Sequence, residues 1–296
     1  MRKRPFSFIK NRLYFYIFSI VIFLLAIFSM IFFKFNLGID FAGGTILKIR
    51  FNERVEKERV EKEIKKLGFD HVEIQPSQEE FFIRMRHISD EEHQKINQTL
   101  KKIGEYKELS FESVGPSVSQ DLKKKAFWGM VIASLGIIFY IAFSFRTIPR
   151  GYSSLLFGFS AVIALFHDAT IVVGAFSFIG NFYKNVFLDA YFITAILTIC
   201  GYSVHDTIVV ADRLRENLIK HRESLRYITD LSIWQTLGRS ISTSLTTLFV
   251  SLSLFLLGGE SIKNFALALA IGISVGTYSS IFIALPLIYD LHKKKT

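Results

Sequence analysis

Residues 13–33 read LYFYIFSIVIFLLAIFSMIFF, an uninterrupted run of 21 residues without a charged side chain. Such a run is long enough to cross a hydrocarbon core of about 30 Å, because an α-helix rises about 1.5 Å per residue. Five more apolar stretches of similar length follow it along the chain. They cover approximately residues 126–145, 152–177, 187–211, 237–257 and 265–291. The sequence therefore predicts a polytopic α-helical membrane protein with six transmembrane helices.

Charge is divided unevenly along the chain, whose 296 residues carry a net charge of +10. Residues 45–122 contain 14 Lys/Arg and 16 Asp/Glu, whereas the remainder contains 22 Lys/Arg and 10 Asp/Glu. This division indicates one polar domain set within membrane-spanning sequence. The single cysteine, Cys200, excludes an intrachain disulfide and a cysteine-based zinc or iron–sulfur site. Basic residues outside the polar block lie in short clusters rather than on a soluble face, which argues against nucleic-acid binding.

Basic residues in the short connections predict the orientation, since they concentrate on the cytoplasmic side of membrane proteins. Fifteen of them fall on one side, whereas the opposite short loops carry only Lys184 and Lys263. We therefore expect a cytoplasmic basic N-terminus (1–12), a first span (13–33), an extracytoplasmic domain (34–125), five further spans (126–291) and a cytoplasmic basic tail (292–296). The fifteen residues are Arg2, Lys3, Arg4, Lys10, Arg12, Arg146, Arg150, Arg213, Arg215, Lys220, Arg222, Arg226, Lys293, Lys294 and Lys295.

The polar block has the periodicity of a small α+β domain. Alternating or apolar segments predict strands at 45–51, 71–75, 81–85 and 106–114, with a Pro76-Ser77 turn between the second and third. Helical spacing predicts helices at 53–67 and 90–103, which end at Gly68 and Gly104. The order β-α-β-β-α-β is that of a ferredoxin-like domain, which covers one sheet face with two helices and leaves the other for a partner. His71, His87 and His93 lack metal-ligand spacing, so we expect them at the surface.

Ionisable residues inside the predicted spans are the candidate functional residues. Asp168 lies beside His167 in the third span, Asp206 lies in the fourth, and Arg239 opens the fifth. Such groups cost several kcal/mol near the bilayer centre, so they persist where they are paired, hydrated or useful. A carboxylate whose neighbouring arginine comes and goes can take up and release a proton.

Three structural interpretations of these residues stay open. In the first, Asp206 and Arg239 form a static ion pair. In the second, Arg239 makes no such pair and its side chain extends to the membrane interface. In the third, Asp168 accepts hydrogen bonds from a neighbouring helix and has a structural role. Asp189 and Asp290 lie at span ends and are expected at the interface.

No motif of enzyme chemistry fits its required context. Residues 272–276 (GISVG) match the G-x-S-x-G pattern of hydrolases, but they lie in an apolar helix with no preceding strand, which favours helix packing instead. Walker-type loops, H-E-x-x-H and C-x-x-C are absent from the sequence. We expect no enzymatic activity, no cofactor and no metal site, so the energy for any work comes from an ion gradient or a partner.

Five segments in order along the chain carry a family resemblance. They are Gly38-Ile39-Asp40-Phe41-Ala42-Gly43-Gly44, Val114-Gly115-Pro116-Ser117-Val118, His167-Asp168, residues 201–217 (GYSVHDTIVVADRLREN) and residues 239–247 (RSISTSLTT). The first resembles the G-[IL]-D-F-x-G-G signature of the SecF subunit of the bacterial Sec protein-export machinery, and the other four resemble SecF as well. The segment 201–217 is the most specific. His205 departs from the pattern, since family members usually carry Asn there.

The resemblance implies a resistance-nodulation-division type membrane fold in the bacterial cytoplasmic membrane. SecF of this family pairs with SecD beside the SecYEG channel, and a proton or sodium gradient promotes the export of polypeptides across the lipid bilayer. Asp206 and Arg239 occupy family positions tied to ion coupling, and Asp168, which lies in another family motif, is the third candidate for ion coupling. Candidate modulators are His205, His167 and Thr243; the remaining motif residues are Asp40, Phe41, Gly43, Gly44, Gly115, Pro116 and Gly201.

Two rival functions remain at this stage. One is a half-unit of an ion-driven exporter of small molecules or lipids from the same superfamily. The other is a non-transporting membrane scaffold or sensor, in which the buried acids are structural. A drug exporter is expected to be a duplicated chain with two large external domains, whereas this sequence predicts one external domain of about eighty residues, which favours SecF.

Overall fold

The computed structural model describes residues 6–69, 72–77, 80–145, 152–183 and 185–293. The chain divides into two compact bodies, one of Met1–Asn36 with Trp128–Thr296 and the other of Leu37–Phe127. Among the described residues, six helices have the length and composition to cross a membrane, and one four-stranded antiparallel sheet is present. The predicted class, a polytopic helical membrane protein with an α+β domain, is confirmed.

The elements alternate between long apolar helices and the short elements of the smaller body. In chain order they are α1 (Arg12–Phe33), α2 (Ile39–Ala42), β1 (Gly44–Phe51), α3 (Lys57–Lys65), β2 (Glu73–Ser77), β3 (Glu80–Met85), α4 (Asp90–Ile103), β4 (Tyr106–Val114), α5 (Pro116–Ser144), α6 (Ser154–Phe182), α7 (Ala190–Lys220), α8 (Leu225–Leu257), α9 (Glu260–Ser279), a π-helical turn (Ser280–Ala284) and α10 (Leu285–Lys293).

The long helices extend beyond the apolar stretches that revealed them. Helix α5 begins at Pro116, α7 continues to Lys220 and α8 begins at Leu225. Hydropathy detects only the part of a helix that suits hydrocarbon, whereas the backbone hydrogen-bond ladder continues through the polar residues on either side. Each of these three predicted spans therefore corresponds to one end of a longer helix.

Small residues allow close contacts between the membrane helices. A Cβ atom on Gly174 of α6 would lie 2.5 Å from Cβ of Ala26 in α1. The Ser29 hydroxyl of α1 donates a 2.9 Å hydrogen bond to the Gly174 carbonyl oxygen. In α9, a Cβ on Gly272 would lie 2.3 Å from Cδ1 of Ile199 in α7. The expectation that the G-x-S-x-G stretch is a helix-packing surface is confirmed.

The smaller body has the ferredoxin-like topology. Its sheet order is β2-β3-β1-β4 and every neighbouring pair is antiparallel. Helices α3 and α4 bury Val60, Ile64, Ile96 and Leu100 against one sheet face. Ser89 caps α4 in a capping box, which satisfies backbone N–H groups that have no partner inside the helix. The predicted β-α-β-β-α-β order is thus confirmed.

The predicted Pro76-Ser77 turn is wrong. Pro76 pairs with Phe81 and Ser77 with Glu80, so both residues belong to β2. Strand β2 lies at the edge of the sheet, where proline is tolerated because its missing N–H would have no ladder partner.

Several expectations concern residues outside the described ranges. These are Arg2, Lys3, Arg4, His71, Arg146, Arg150, Lys184, Lys294 and Lys295.

Candidate functional site

Asp168 joins three membrane helices through its carboxylate. It lies in α6 and is 1% exposed. The Ser203 hydroxyl of α7 donates to Oδ2 at 2.7 Å, and the Ser279 hydroxyl of α9 donates to the same oxygen at 2.6 Å. Gly276 of α9 keeps the site compact, since a Cβ there would lie 3.6 Å from Oδ2. Asp168 therefore accepts hydrogen bonds from two neighbouring helices, which is one of the interpretations that the sequence left open.

His167 completes this cluster on the side of α1. Its Nδ1 lies 3.0 Å from Oδ1 of Asp168, and its ring stacks on Phe23 of α1 with centroids 6.0 Å apart. Its Nε2 is buried and has no hydrogen-bond partner among the described residues. The sequence indicated the pair but not that one imidazole nitrogen is unsatisfied.

Asp206 is the buried carboxylate between α7 and α8. It is 3% exposed and accepts a 3.3 Å hydrogen bond from the Ser244 hydroxyl of α8. The Ser240 hydroxyl lies one turn earlier on α8; it is buried and makes no hydrogen bond within the described residues. Thr207, next in the chain, also has a buried hydroxyl without a partner in that part of the structure. Asp206 therefore lies among polar groups that are only partly satisfied.

Arg239 does not contact Asp206 in this structure. Its side chain is exposed and makes no hydrogen bond or ion pair within the described residues. With Tyr140 and Asp212, it lines an open cavity of about 340 Å³ between α5, α7 and α8. Val209, which lines the same cavity, is one helical turn from Asp206. The ion pair considered from the sequence is thus not formed in this conformation.

The remaining candidate modulators have different surroundings. His205 is exposed on α7, whereas the adjacent Asp206 is buried. Thr243 donates its hydroxyl to the carbonyl oxygens of Arg239 and Ser240, at 2.9 and 3.0 Å. Such bonds satisfy a hydroxyl within its own helix. Thr243 therefore makes no side-chain link to Asp206 here.

The glycine motif after the first span shapes the start of the smaller body. Gly43 and Gly44 have φ values of +76° and +132°, in the range where side chains other than glycine are strained. A Cβ on Gly44 would lie 2.8 Å from the carbonyl oxygen of Met85. Asp40 and Phe41 form part of the short helix α2, and the Phe41 side chain is buried. This motif has a structural explanation in the fold of the domain.

Of the other motif residues, Gly115 and Pro116 have a structural role at the start of α5, whereas Gly201 makes no contact that accounts for it. Pro116 is the first residue of α5, where its missing N–H costs nothing, and Ser119 donates its N–H to the Gly115 carbonyl oxygen at 3.0 Å. A Cβ on Gly201 of α7 would meet no atom within 4 Å, so no contact in the structure explains that glycine.

Two acidic residues anchor the N-terminal segment, a role that the sequence did not reveal. Asp230 of α8 accepts a hydrogen bond from the Ser7 hydroxyl at 2.5 Å and from the Ile9 N–H at 3.0 Å. Asp290 of α10, expected at the interface, forms a 2.8 Å ion pair with Arg12. Hydropathy gave no signal for these contacts because they join residues more than 200 positions apart.

Asp189, also expected at the interface, is a buried N-cap. Its side-chain oxygen accepts a 2.7 Å hydrogen bond from the Phe192 N–H in the first turn of α7. Asp at an N-cap satisfies one of the free N–H groups of the helix start.

The arrangement offers groups that suit the reversible binding of an ion. Within the described residues, no group of three or more His, Cys, Asp or Glu side chains is arranged to hold a metal ion. The buried carboxylates of Asp168 and Asp206 and the guanidinium of Arg239 each lie inside or beside an apolar helix. Such groups suit the reversible binding of a small cation or proton.

Two family models match this chain. The model described as "Protein export membrane protein SecD/SecF, C-terminal" matches residues 94–294, and the model "SecD/SecF GG Motif" matches residues 28–53. The second range includes Gly43 and Gly44, and the first includes Asp168 and Asp206.

Curated relatives and a solved structure agree with the family models. The protein translocase subunit SecF of Thermobaculum terrenum is 40% identical over 97% of this chain and 94% of its own length. The protein translocase subunit SecDF of Bacillus subtilis is 35% identical over 95% of this chain but only 37% of its own length. The crystal structure of SecDF from Thermus thermophilus, a translocon-associated membrane protein, matches with a TM-score of 0.85 and 32% identity. The match covers 98% of this chain and 39% of that SecDF chain.

Proposed function

This chain belongs to the SecD/SecF family of protein export membrane proteins, and we propose that it is the SecF-type subunit that pairs with SecD and uses an ion gradient to promote polypeptide export. The observation that carries the proposal is the buried Asp206, which lies in a membrane helix with no cationic partner in contact among the described residues. A multi-pass membrane protein with this site is suited to convert ion binding into helix movement.

Asp206 and Arg239 supply the coupling in this proposal. Asp206 accepts a 3.3 Å hydrogen bond from Ser244, while Arg239 lies in the neighbouring open cavity. Both Ser244 and Arg239 belong to α8, so a shift of α8 along α7 exchanges one partner for the other. An arginine close to the carboxylate favours its charged form, whereas its departure favours ion or proton binding. Movement of α8 and ion occupancy are thereby linked.

Pairing with SecD is supported by the surfaces of α5 and α8. In the most apolar 18-residue stretch of each helix, only 6% of α5 and 17% of α8 is buried within this chain. The α8 surface also carries exposed hydroxyl groups, among them Thr243 and Thr246. Hydroxyl groups in membrane helices bond across helix interfaces. SecD and SecF relatives that occur as one SecDF chain are consistent with such a contact.

The orientation follows from the basic residues. We place both termini in the cytoplasm and the ferredoxin-like body, residues 37–127, outside the cytoplasmic membrane. In that location the domain is able to contact an emerging polypeptide beside SecYEG. Its one uncovered sheet face carries both signs of charge, with Lys48 and Arg50 paired to Glu80.

A replacement experiment tests the proposed function. Bacteria depleted of their own SecD and SecF receive this chain together with its cognate SecD, and a pulse-chase follows the maturation of a secreted precursor. We expect maturation to recover with both subunits and not with either one alone. Recovery of solute or lipid efflux without any effect on precursor maturation would instead support the exporter alternative.

A further inference from the structure

The pair His167–Asp168 lies deep in the membrane body. Asp168 is midway along α6, about 21 Å from either helix end. Both residues are at least nine-tenths buried. Water is therefore not available to stabilise a charge on the carboxylate, and stabilisation has to come from neighbouring groups.

The neighbours of Asp168 are neutral hydrogen-bond donors. Ser203 and Ser279 each donate a hydroxyl to Oδ2, and His167 faces Oδ1. No Lys or Arg contacts the carboxylate among the described residues. With a neutral imidazole the cluster would hold one uncompensated negative charge, which is strongly unfavourable in a buried site.

The unsatisfied nitrogen of His167 is the place where that charge can be balanced. Its Nδ1 is engaged with Asp168, whereas its Nε2 is buried without a partner. The other titratable groups that face the pair are Cys200 of α7 and Tyr16 of α1, and both are neutral in their protonated forms. His167 is thus the group in contact that can bring a positive charge.

We propose that His167 and Asp168 together bind one proton and form a second proton-binding site, on α6, separate from Asp206. The proton is transferred from hydronium in the aqueous phase: one O–H bond of hydronium breaks, one N–H bond at Nε2 of the imidazole or one O–H bond at the carboxylate forms, and water is released. Either location makes the pair neutral overall. The role of this site in transport rests on the proposed function, whereas the proton binding does not.

The site is connected to Asp206 through one turn of α7. Ser203, which donates to Asp168, precedes Asp206 by three residues. Loss of the proton from either group leaves the negative charge of Asp168 unbalanced and strengthens its hydrogen bonds to Ser203 and Ser279, which hold α7 and α9 against α6. Proton binding weakens the same bonds and frees the turn that carries Asp206. The second site thereby controls the mobility of the first.

Spectroscopy on the purified full-length chain tests the proton site. The protein is labelled with ¹⁵N-histidine, and the imidazole nitrogens are observed by NMR near neutral pH, together with the infrared carbonyl stretch of protonated carboxylic acids. We expect either an imidazolium signal that His167→Gln removes or a carboxylic acid band that Asp168→Asn removes. His221→Gln and Asp212→Asn, at partly exposed positions outside the pair, serve as matched controls and leave both signals intact.

A neutral His167 imidazole together with no carboxylic acid band assigned to Asp168 would overturn the proposal. If His167→Gln and Asp168→Asn do not fold, Ser279→Ala is measured instead, because it retains both titratable groups. A change in the frequency of the imidazolium signal or of the carboxylic acid band in this variant assigns that signal to the His167–Asp168 pair. The measurement needs neither SecD nor export. Its failure is therefore distinct from a failure of the proposed function, which the replacement experiment detects.

Discussion

Ser203 and Asp206 lie one turn apart on α7 and connect that helix to two different neighbours. Ser203 donates a 2.7 Å hydrogen bond to Asp168 of α6, whereas Asp206 accepts a 3.3 Å hydrogen bond from Ser244 of α8. Two buried carboxylates are therefore linked through a single helical turn. A shift of α7 changes both hydrogen bonds together, which gives this turn a central position in the proposed coupling.

Replacing Gly44 by alanine is expected to destabilise the ferredoxin-like body by roughly 2 kcal/mol. The residue has φ of +132°, and an added Cβ would lie 2.8 Å from the Met85 carbonyl oxygen. Backbone cannot move aside as a flexible side chain can. Hydrogen exchange of the β1 and β3 amides in the full-length chain measures the loss.

Gly68→Ala is the matched control for this change. Gly68 also has a positive φ, of +85°, but a Cβ there would meet no atom within 4 Å. Only the conformational strain of about 1 kcal/mol is expected. Equal effects of the two substitutions would show that the contact with Met85 is unimportant.

Gly174→Ala is expected to separate α1 from α6. The new Cβ would lie 2.5 Å from Cβ and 2.7 Å from the carbonyl oxygen of Ala26, so the helices have to move apart. Overpacking of this kind costs roughly 1–3 kcal/mol. Thermal unfolding in detergent should show a lower midpoint, while Gly136→Ala, at an open position in α5, should not lower it. An unchanged midpoint for Gly174→Ala would refute the close α1–α6 contact.

Acid is expected to weaken the start of α4. The Arg86 side chain and the Ser89 backbone N–H hydrogen bond to Glu92 and lower its pKa to about 2. The value in the unfolded chain is about 4.3, so these bonds stabilise the domain above that pH. The stabilisation is lost as the pH falls towards the folded-state value, because the carboxylate becomes protonated.

Hydrogen exchange between pH 5 and pH 2, corrected at each pH for the intrinsic rate, checks this prediction. Protection of the first turn of α4 should fall with pH in the native chain and vary much less in Glu92→Gln. Glu91→Gln is the control, since Glu91 lies in the same turn and makes no hydrogen bond or ion pair among the described residues. The same pH dependence in Glu92→Gln as in the native chain would contradict the assignment.

Patterns of hydropathy and periodicity predict the architecture well where one physical cause dominates. Long apolar runs reveal the membrane helices because hydrocarbon imposes their length, and residues 90–103 and 106–114 match α4 and β4. The prediction of a turn at Pro76-Ser77 failed because a proline in an edge strand has the same local sequence as a proline in a turn. Local sequence does not specify which strand lies at the edge.

The candidate site was only partly accessible from sequence. Asp168 and Asp206 are conspicuous because carboxylates are costly in apolar helices. Their partners, such as Ser203, Ser244 and Ser279, are ordinary hydroxyl residues, and only the rotations of the helices bring them to the carboxylates. Helix rotation is set by packing between helices, which a single sequence does not show.

The most direct test of the proposed coupling is the rate of precursor maturation in cells whose only SecF-type subunit carries Asp206→Asn. The control is Asp121→Asn, at an exposed position of α5 where the native carboxylate pairs with Lys125 and is not among the residues that line the Arg239 cavity. Membrane levels and co-purification with SecD are measured for both variants.

We expect precursor maturation in Asp206→Asn cells to slow to the rate seen without the subunit. The membrane level of the variant and its association with SecD should stay normal. Precursors should mature at the native rate in Asp121→Asn cells. Native-rate maturation in Asp206→Asn would contradict the central claim and leave this carboxylate a structural group.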